Sequence, residues 1–108
     1  MEIDDRVRLN MLYDFYSNLL TPRQKELFEL RFQYDLSLGE IADNLEISRQ
    51  AVNDLLRRTA AQLNNYEERL HLLAKHRQRT DIIARLEEVL TAGDTASASN
   101  WLSELKKI

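Results

Sequence analysis

An all-α helical bundle is the fold class this sequence predicts, and three observations predict it. Glycine occurs twice and proline once in 108 residues, too few to punctuate the hairpins and tight turns that sheets require. Apolar residues recur at spacings of three and four along most of the chain, the period of an amphipathic helix. Hydrophobic residues make up 44% and charged residues 31%, which suits a modest core under a large hydrated surface. The length supports one compact domain. We place it at residues 1–76, with a helical extension for dimerisation or docking over 77–108.

Each element follows from local signals. Ile3, Val7, Met11, Leu12, Phe15, Tyr16 and Leu19 predict a first helix of four to five turns with one apolar face. Thr21-Pro22 ends it and opens a second helix over 22–34, with Thr at the N-cap and Pro in the first turn. Ser37 and Glu40 have the spacing of a capping box, so a short third helix is expected over 38–45. Ser48 caps a fourth helix, whose apolar residues run as Ala51, Val52, Leu55, Leu56, Thr59, Leu63, Tyr66, Leu70 and Leu73. From Leu56 onward the spacing approaches a heptad seam.

No glycine or proline interrupts this pattern before Gly93. The fourth helix is therefore expected over 49–75, an extension to Leu90 remaining open, with a kink or a break between His76 and Asp81 where the seam loses phase. Residues 92–98 read as a small, polar linker. A last helix over 100–108 would gather Trp101, Leu102, Leu105 and Ile108 on one side.

The composition excludes several classes. There is no cysteine, hence no disulfide or zinc finger, and a reducing compartment is the natural setting. No apolar run has the length of a signal peptide or of a membrane span. The chain is read as cytoplasmic, with no membrane partner. His71 and His76 are five apart and do not stack on one helix face. The pairs Asp4-Asp5 and Glu87-Glu88 are adjacent and diverge. There is no glycine-rich phosphate loop and no nucleophile motif. An enzyme is not expected, nor a cofactor or a metal.

The segment LGEIADNLEISRQAVNDLLR, residues 38–57, has the pattern of a helix-turn-helix. Ile41 and Leu45 face the second helix, and Ala42 lets the two backbones approach. Ile47 plugs the turn, and Val52 and Leu55 complete the packing. The residue before the plug adopts positive φ and favours glycine, but here it is Glu46. The second helix would then expose Ser48, Arg49, Gln50, Asn53, Asp54, Arg57 and Arg58. Arg49, Gln50 and Asn53 have the donors and acceptors to read base edges in the major groove. Arg57, Arg58 and Arg23 would hold phosphates. Ser48 lies at the helix N-terminus, where free amides favour an anion.

Charge supports this placement. The net charge is −3, yet residues 1–47 carry −5 and residues 48–79 carry +4. The basic block begins where the recognition helix begins. The same six apolar and small positions would equally build a helix-turn-helix that binds only protein. An adaptor using the acidic first half and the C-terminal helices therefore stands as the alternative.

The runs SLGEIADNLEISRQAVNDLLRR and LTPRQKELFELRF (37–58 and 20–32) resemble region 4 of bacterial sigma factors, whose helix-turn-helix reads a promoter element. With Leu12-Tyr13-Asp14-Phe15-Tyr16 and Asn65-Tyr66-Glu67, the chain up to about residue 90 resembles the YlxM-like family. That resemblance implies a small bacterial DNA-binding regulator, connected with the signal recognition particle pathway and with a protein partner there. It carries over no contact residues, and residues 91–108 match nothing recognisable.

Two features stand outside the motif. Tyr13, Phe15, Tyr16, Phe28, Phe32 and Tyr34 fall in amphipathic helices and are expected in the core; Trp101 is expected as a docking anchor. A helix of about 27 residues spans about 40 Å, more than a small domain can cover. Either residues 82–90 fold back over its distal half or a second copy covers it; of the two a homodimer is expected, presenting two recognition helices to a two-fold DNA site.

Overall fold

The computed structural model describes the backbone of residues 3–108 and the side chains of residues 5–108. The side chains of Ile3 and Asp4, both used above, lie outside the described residues. The described residues form six α-helices and no strand: α1 Ile3–Tyr16, α2 Pro22–Phe32, α3 Leu38–Leu45, α4 Arg49–Leu70, α5 Leu72–Thr91 and α6 Thr95–Lys106. A single 3-10 turn, Ser17–Leu19, follows α1. The chain divides into two units, Met1–Leu70 and His71–Ile108.

In the first unit, α4 is the helix against which α1, α2 and α3 all pack. One core cluster joins Leu27, Ile41, Ala42, Val52 and Leu56, with Leu45, Ile47 and Leu55 packed against it. All six residues assigned to the helix-turn-helix interior thus lie in or against one apolar cluster. A second layer is aromatic. Tyr13 stacks on Phe28 with centroids 4.5 Å apart, and Phe32 sits 4.6 Å from Phe28 in a tilted contact. The Tyr13 hydroxyl donates to Glu29 at 2.6 Å. Burial and that carboxylate push its pKa well above the ordinary phenol value. Tyr16 is buried and donates to the largely buried Glu67 at 2.7 Å.

These contacts correct the expected face of α1. Its buried residues are Leu9, Leu12, Tyr13, Tyr16 and, just beyond, Leu20, whereas Val7 is 53% exposed and Leu19 52%. The apolar stripe is broad, and the aromatic partners on α2 and α4 select its Tyr13 edge. Two expected core aromatics also differ. Phe15 is 37% exposed and Tyr34, past the end of α2, is 71% exposed.

Helix ends follow the local signals closely. Thr21 caps α2 in a full capping box with Gln24, with Pro22 in the first turn. Ser37 and Glu40 form the reciprocal box at α3, at 3.1 and 3.2 Å. Ser48 accepts from the Ala51 amide at 3.0 Å and so caps α4. Glu46 adopts φ 56°, ψ 42°, the left-handed conformation that the turn demands of it. The α2 helix closes through a bond from the Leu36 amide to Leu30 O around Asp35, whose φ is 59°, a Schellman-type ending without glycine.

The second unit is a two-helix hairpin of α5 and α6. The helix break falls at His71, φ 57°, not between His76 and Asp81, which are continuous helix within α5. Polar residues there break the apolar seam without breaking the backbone, since none lacks an amide or demands another φ. The linker expected over 92–98 is likewise corrected. Gly93 at φ 76° and Asp94 make a short turn. Asp94 accepts from the Ser97 amide at 3.0 Å, so α6 begins at Thr95, not at residue 100. The Ala and Ser residues taken for a linker are helix; Ala98, 8% exposed, is buried. Arg85 lies 5.3 Å over the Trp101 ring, so Trp101 is half-buried in its own hairpin.

Candidate nucleic-acid interface

Helical periodicity sorts the polar side chains of α4 into two adjacent rows. Arg49, Asn53 and Arg57 stack at intervals of four along one row. Gln50, Asp54 and Arg58 stack along the next, turned by one residue away from the core. Arg49, Gln50, Asp54, Arg57 and Arg58 are exposed, and Asn53 is half-buried. Val52, Leu56, Thr59 and Leu63 hold the core face, so the Gln50 row points directly away from the core and the Arg49 row runs along its flank. Ser48 is exposed at the head of the helix, its oxygen already engaged by its own cap.

Arg49 is placed by a feature of α3. A Cβ at Gly39 would stand 2.9 Å from Arg49 Nη2 and 3.1 Å from its Cζ and Nε. The guanidinium therefore lies flat over the bare backbone of Gly39, and the first turn of α4 is joined to the first turn of α3. Sequence reasoning missed this role, since an isolated helical glycine signals only lower helix propensity.

The structure brings two further arginines to the first row. Arg6 and Arg31 line a cleft together with Asn53 and Arg57. Arg6 is fixed by Asp35 at 2.8 Å and by the carbonyls of Arg31 and Phe32 at 3.4 Å. Its guanidinium also sits 5.7 Å over Phe32. That hydrogen bond and charge hold the Asp35 carboxyl below its usual pKa range. Arg31 donates to Leu36 O at 3.0 Å. No spacing rule links Arg6 to Arg57, fifty-one residues apart in the sequence; the α1–α4 packing alone unites them.

Arg23 is placed apart. Its neighbour Gln24 donates to Gln62 at 2.7 Å, and Gln62 lies thirteen residues beyond Arg49 on α4. At 1.5 Å per residue this is about 20 Å along the helix. Arg23 pairs loosely with Glu26 at 3.8 Å. Gln62 also follows Arg58 by four residues, so Arg23 lies toward the far end of the second row rather than beside Arg49.

Among the described residues, no group of three or more His, Cys, Asp or Glu is placed to hold a metal ion. No described helix is long and apolar enough to cross a membrane.

The sequence profile of UPF0122, described as "Putative helix-turn-helix protein, YlxM / p13 like", matches residues 3–100. A UPF0122 protein of Geobacillus kaustophilus is 49% identical, with 98% of each chain covered. A relative from Bacillus pumilus is 40% identical over 100% of this chain and 99% of its own. One from Exiguobacterium sibiricum is 49% identical over 82% of this chain and 84% of its own.

Proposed function

The chain belongs to the UPF0122 family of YlxM/p13-like helix-turn-helix proteins, and from that premise we propose that it is a DNA-binding regulator. The observation that carries this reading is the two-row polar face of α4, headed by Arg49 and Gln50 at the helix start. Arg49, Gln50 and Asn53 read base edges, and Arg57 and Arg58 hold phosphates. Ser48 marks the point where the helix N-terminus meets the backbone. Arg23 extends the phosphate contacts past Arg58, where its neighbour Gln24 meets Gln62.

The second unit serves assembly in this reading. In that unit Ile83, Leu90 and Leu102 are each more than 40% exposed. A second copy of the chain covers that face and yields a homodimer with paired recognition helices. A sedimenting mass of one chain, 12.7 kDa, at tens of micromolar would rule the dimer out. The competing function is an adaptor in the signal recognition particle pathway, which the acidic first half of the chain favours.

Titration of a labelled duplex at several salt concentrations separates the two functions. DNA binding gives a steep loss of affinity with salt. Arg49→Ala then costs about 1–3 kcal/mol, and Arg57→Ala lowers the salt slope by about one. Absence of binding at low salt, or wild-type behaviour of both variants, would refute the DNA reading.

A further inference from the structure

We propose that the cleft beside the first row of α4 is a binding site for a small organic phosphate, and that its occupation opposes DNA binding. The cleft encloses about 400 Å³, within the range of small-molecule sites. Its polar wall is Arg6, Arg31, Arg57 and Asn53, and its apolar wall is Phe32, Leu38 and Leu56. Among the described residues no acidic side chain lines it, Asp35 pairing with Arg6 from outside the lining. A cationic wall facing an apolar one fits an anionic head on an apolar body.

The donors needed for such a ligand are available. A guanidinium carries five N–H groups. Arg6 uses only Nη2 in its bonds to Asp35 and the two carbonyls, leaving Nε and Nη1. Arg31 uses only Nη1, leaving Nε and Nη2. Among the described residues, Arg57 and Asn53 have no hydrogen-bond or ion-pair partner. Two arginines are thus pre-positioned by the fold, and two neighbouring groups are free to close on the ligand. Guanidinium forks suit phosphate oxygens, which they meet in bidentate pairs.

Arg57 and Asn53 also belong to the row assigned to DNA, so ligand and duplex compete for them. This competition rests on the proposed DNA binding, whereas the ligand site itself does not. Phosphate could come from a free small molecule or from the nucleic-acid backbone. The backbone diester carries one charge and brings no apolar body of its own into the cleft.

The test titrates the full chain with phenyl phosphate and with inorganic phosphate at constant ionic strength, followed by amide NMR. The expected result is saturable 1:1 binding of phenyl phosphate, about tenfold tighter than inorganic phosphate because the ring leaves water. Shifts should concentrate at Phe32, Leu38 and Asn53. Arg31→Gln and Arg57→Gln should each weaken binding at least fivefold, and Arg69→Gln, a surface change outside the cleft, should not. Arg57→Gln guards against misfolding, because Arg57 supports no internal bond. Non-saturable shifts, equal affinity for the two probes, or wild-type binding by Arg57→Gln would overturn the site. In a second arm, phenyl phosphate near its wild-type Kd should weaken duplex binding by the wild type and do so distinctly less for Arg31→Gln. Unchanged duplex affinity would overturn the competition. A chain that binds phenyl phosphate but no duplex would keep the site and lose the DNA reading.

Discussion

Two residues at the helix-turn-helix carry opposite costs, and substitution separates them. Glu46 sits in the left-handed region at φ 56°, where a non-glycine residue is strained by about 1–2 kcal/mol. Glu46→Gly removes that strain but frees the unfolded chain, so a net gain of about 0.5–1 kcal/mol is expected. A urea midpoint moved upward, with unchanged duplex affinity, is the corresponding measurement. Gly39 is the converse. Gly39→Ala raises helix propensity by up to about 1 kcal/mol, so the melting temperature should hold or rise. The new Cβ pushes the Arg49 guanidinium off its seat, so duplex affinity should fall several-fold. In an Arg49→Ala background Gly39→Ala should change affinity no further. A further loss there would mean that Gly39 acts on something other than Arg49.

Elements are held by their ends. Asp94 caps α6 through the Ser97 amide, and the hydrogen bonds to Ser97 hold its carboxyl below the usual pKa. A depressed folded pKa means stability present near neutral pH and lost as pH falls. For both Asp94 and Asp35 that loss should begin near pH 4, the unfolded carboxylate range. Asp94→Ala should lower the melting temperature at neutral pH, and by less at pH 3, below the unfolded carboxylate pKa. The fluorescence of Trp101, the only tryptophan, reports on this hairpin because Arg85 lies over its ring. An identical loss at both pH values would show that the cap is not the source.

At the scale of the whole molecule, the aromatic layer joins α1 to α2 within the first unit. Phe28 is fully buried and in ring contact with both Tyr13 and Phe32. Phe28→Ala should cost about 3–5 kcal/mol, a large share of the roughly 5–15 kcal/mol of a typical domain. Equilibrium denaturation followed by circular dichroism measures it. A cost below 1 kcal/mol would mean that the layer is not a structural core. Such a variant should lose duplex binding as well, since α4 is positioned by the helices packed on it.

What the sequence by itself determined is what is local. The capping residues Thr21, Ser37 and Ser48, the six interior positions of the helix-turn-helix and the unusual conformation of Glu46 all follow from spacings under about twenty residues. There the physics is backbone hydrogen bonding and one helix crossing. The Asp94 cap was equally local, but alanines and serines beside a glycine read as a linker. Only the tertiary structure decided which edge of α1 is buried, because a broad apolar stripe offers several faces and Phe28 and Glu67 select one. It alone placed the helix break at His71, since loss of a seam is not loss of backbone hydrogen bonds. It alone brought Arg6 and Arg31 to Arg57, and joined Gln24, the neighbour of Arg23, to Gln62, about 20 Å along α4 from Arg49. Convergence of charges from separate helices depends on long-range packing, which no spacing in a single chain encodes.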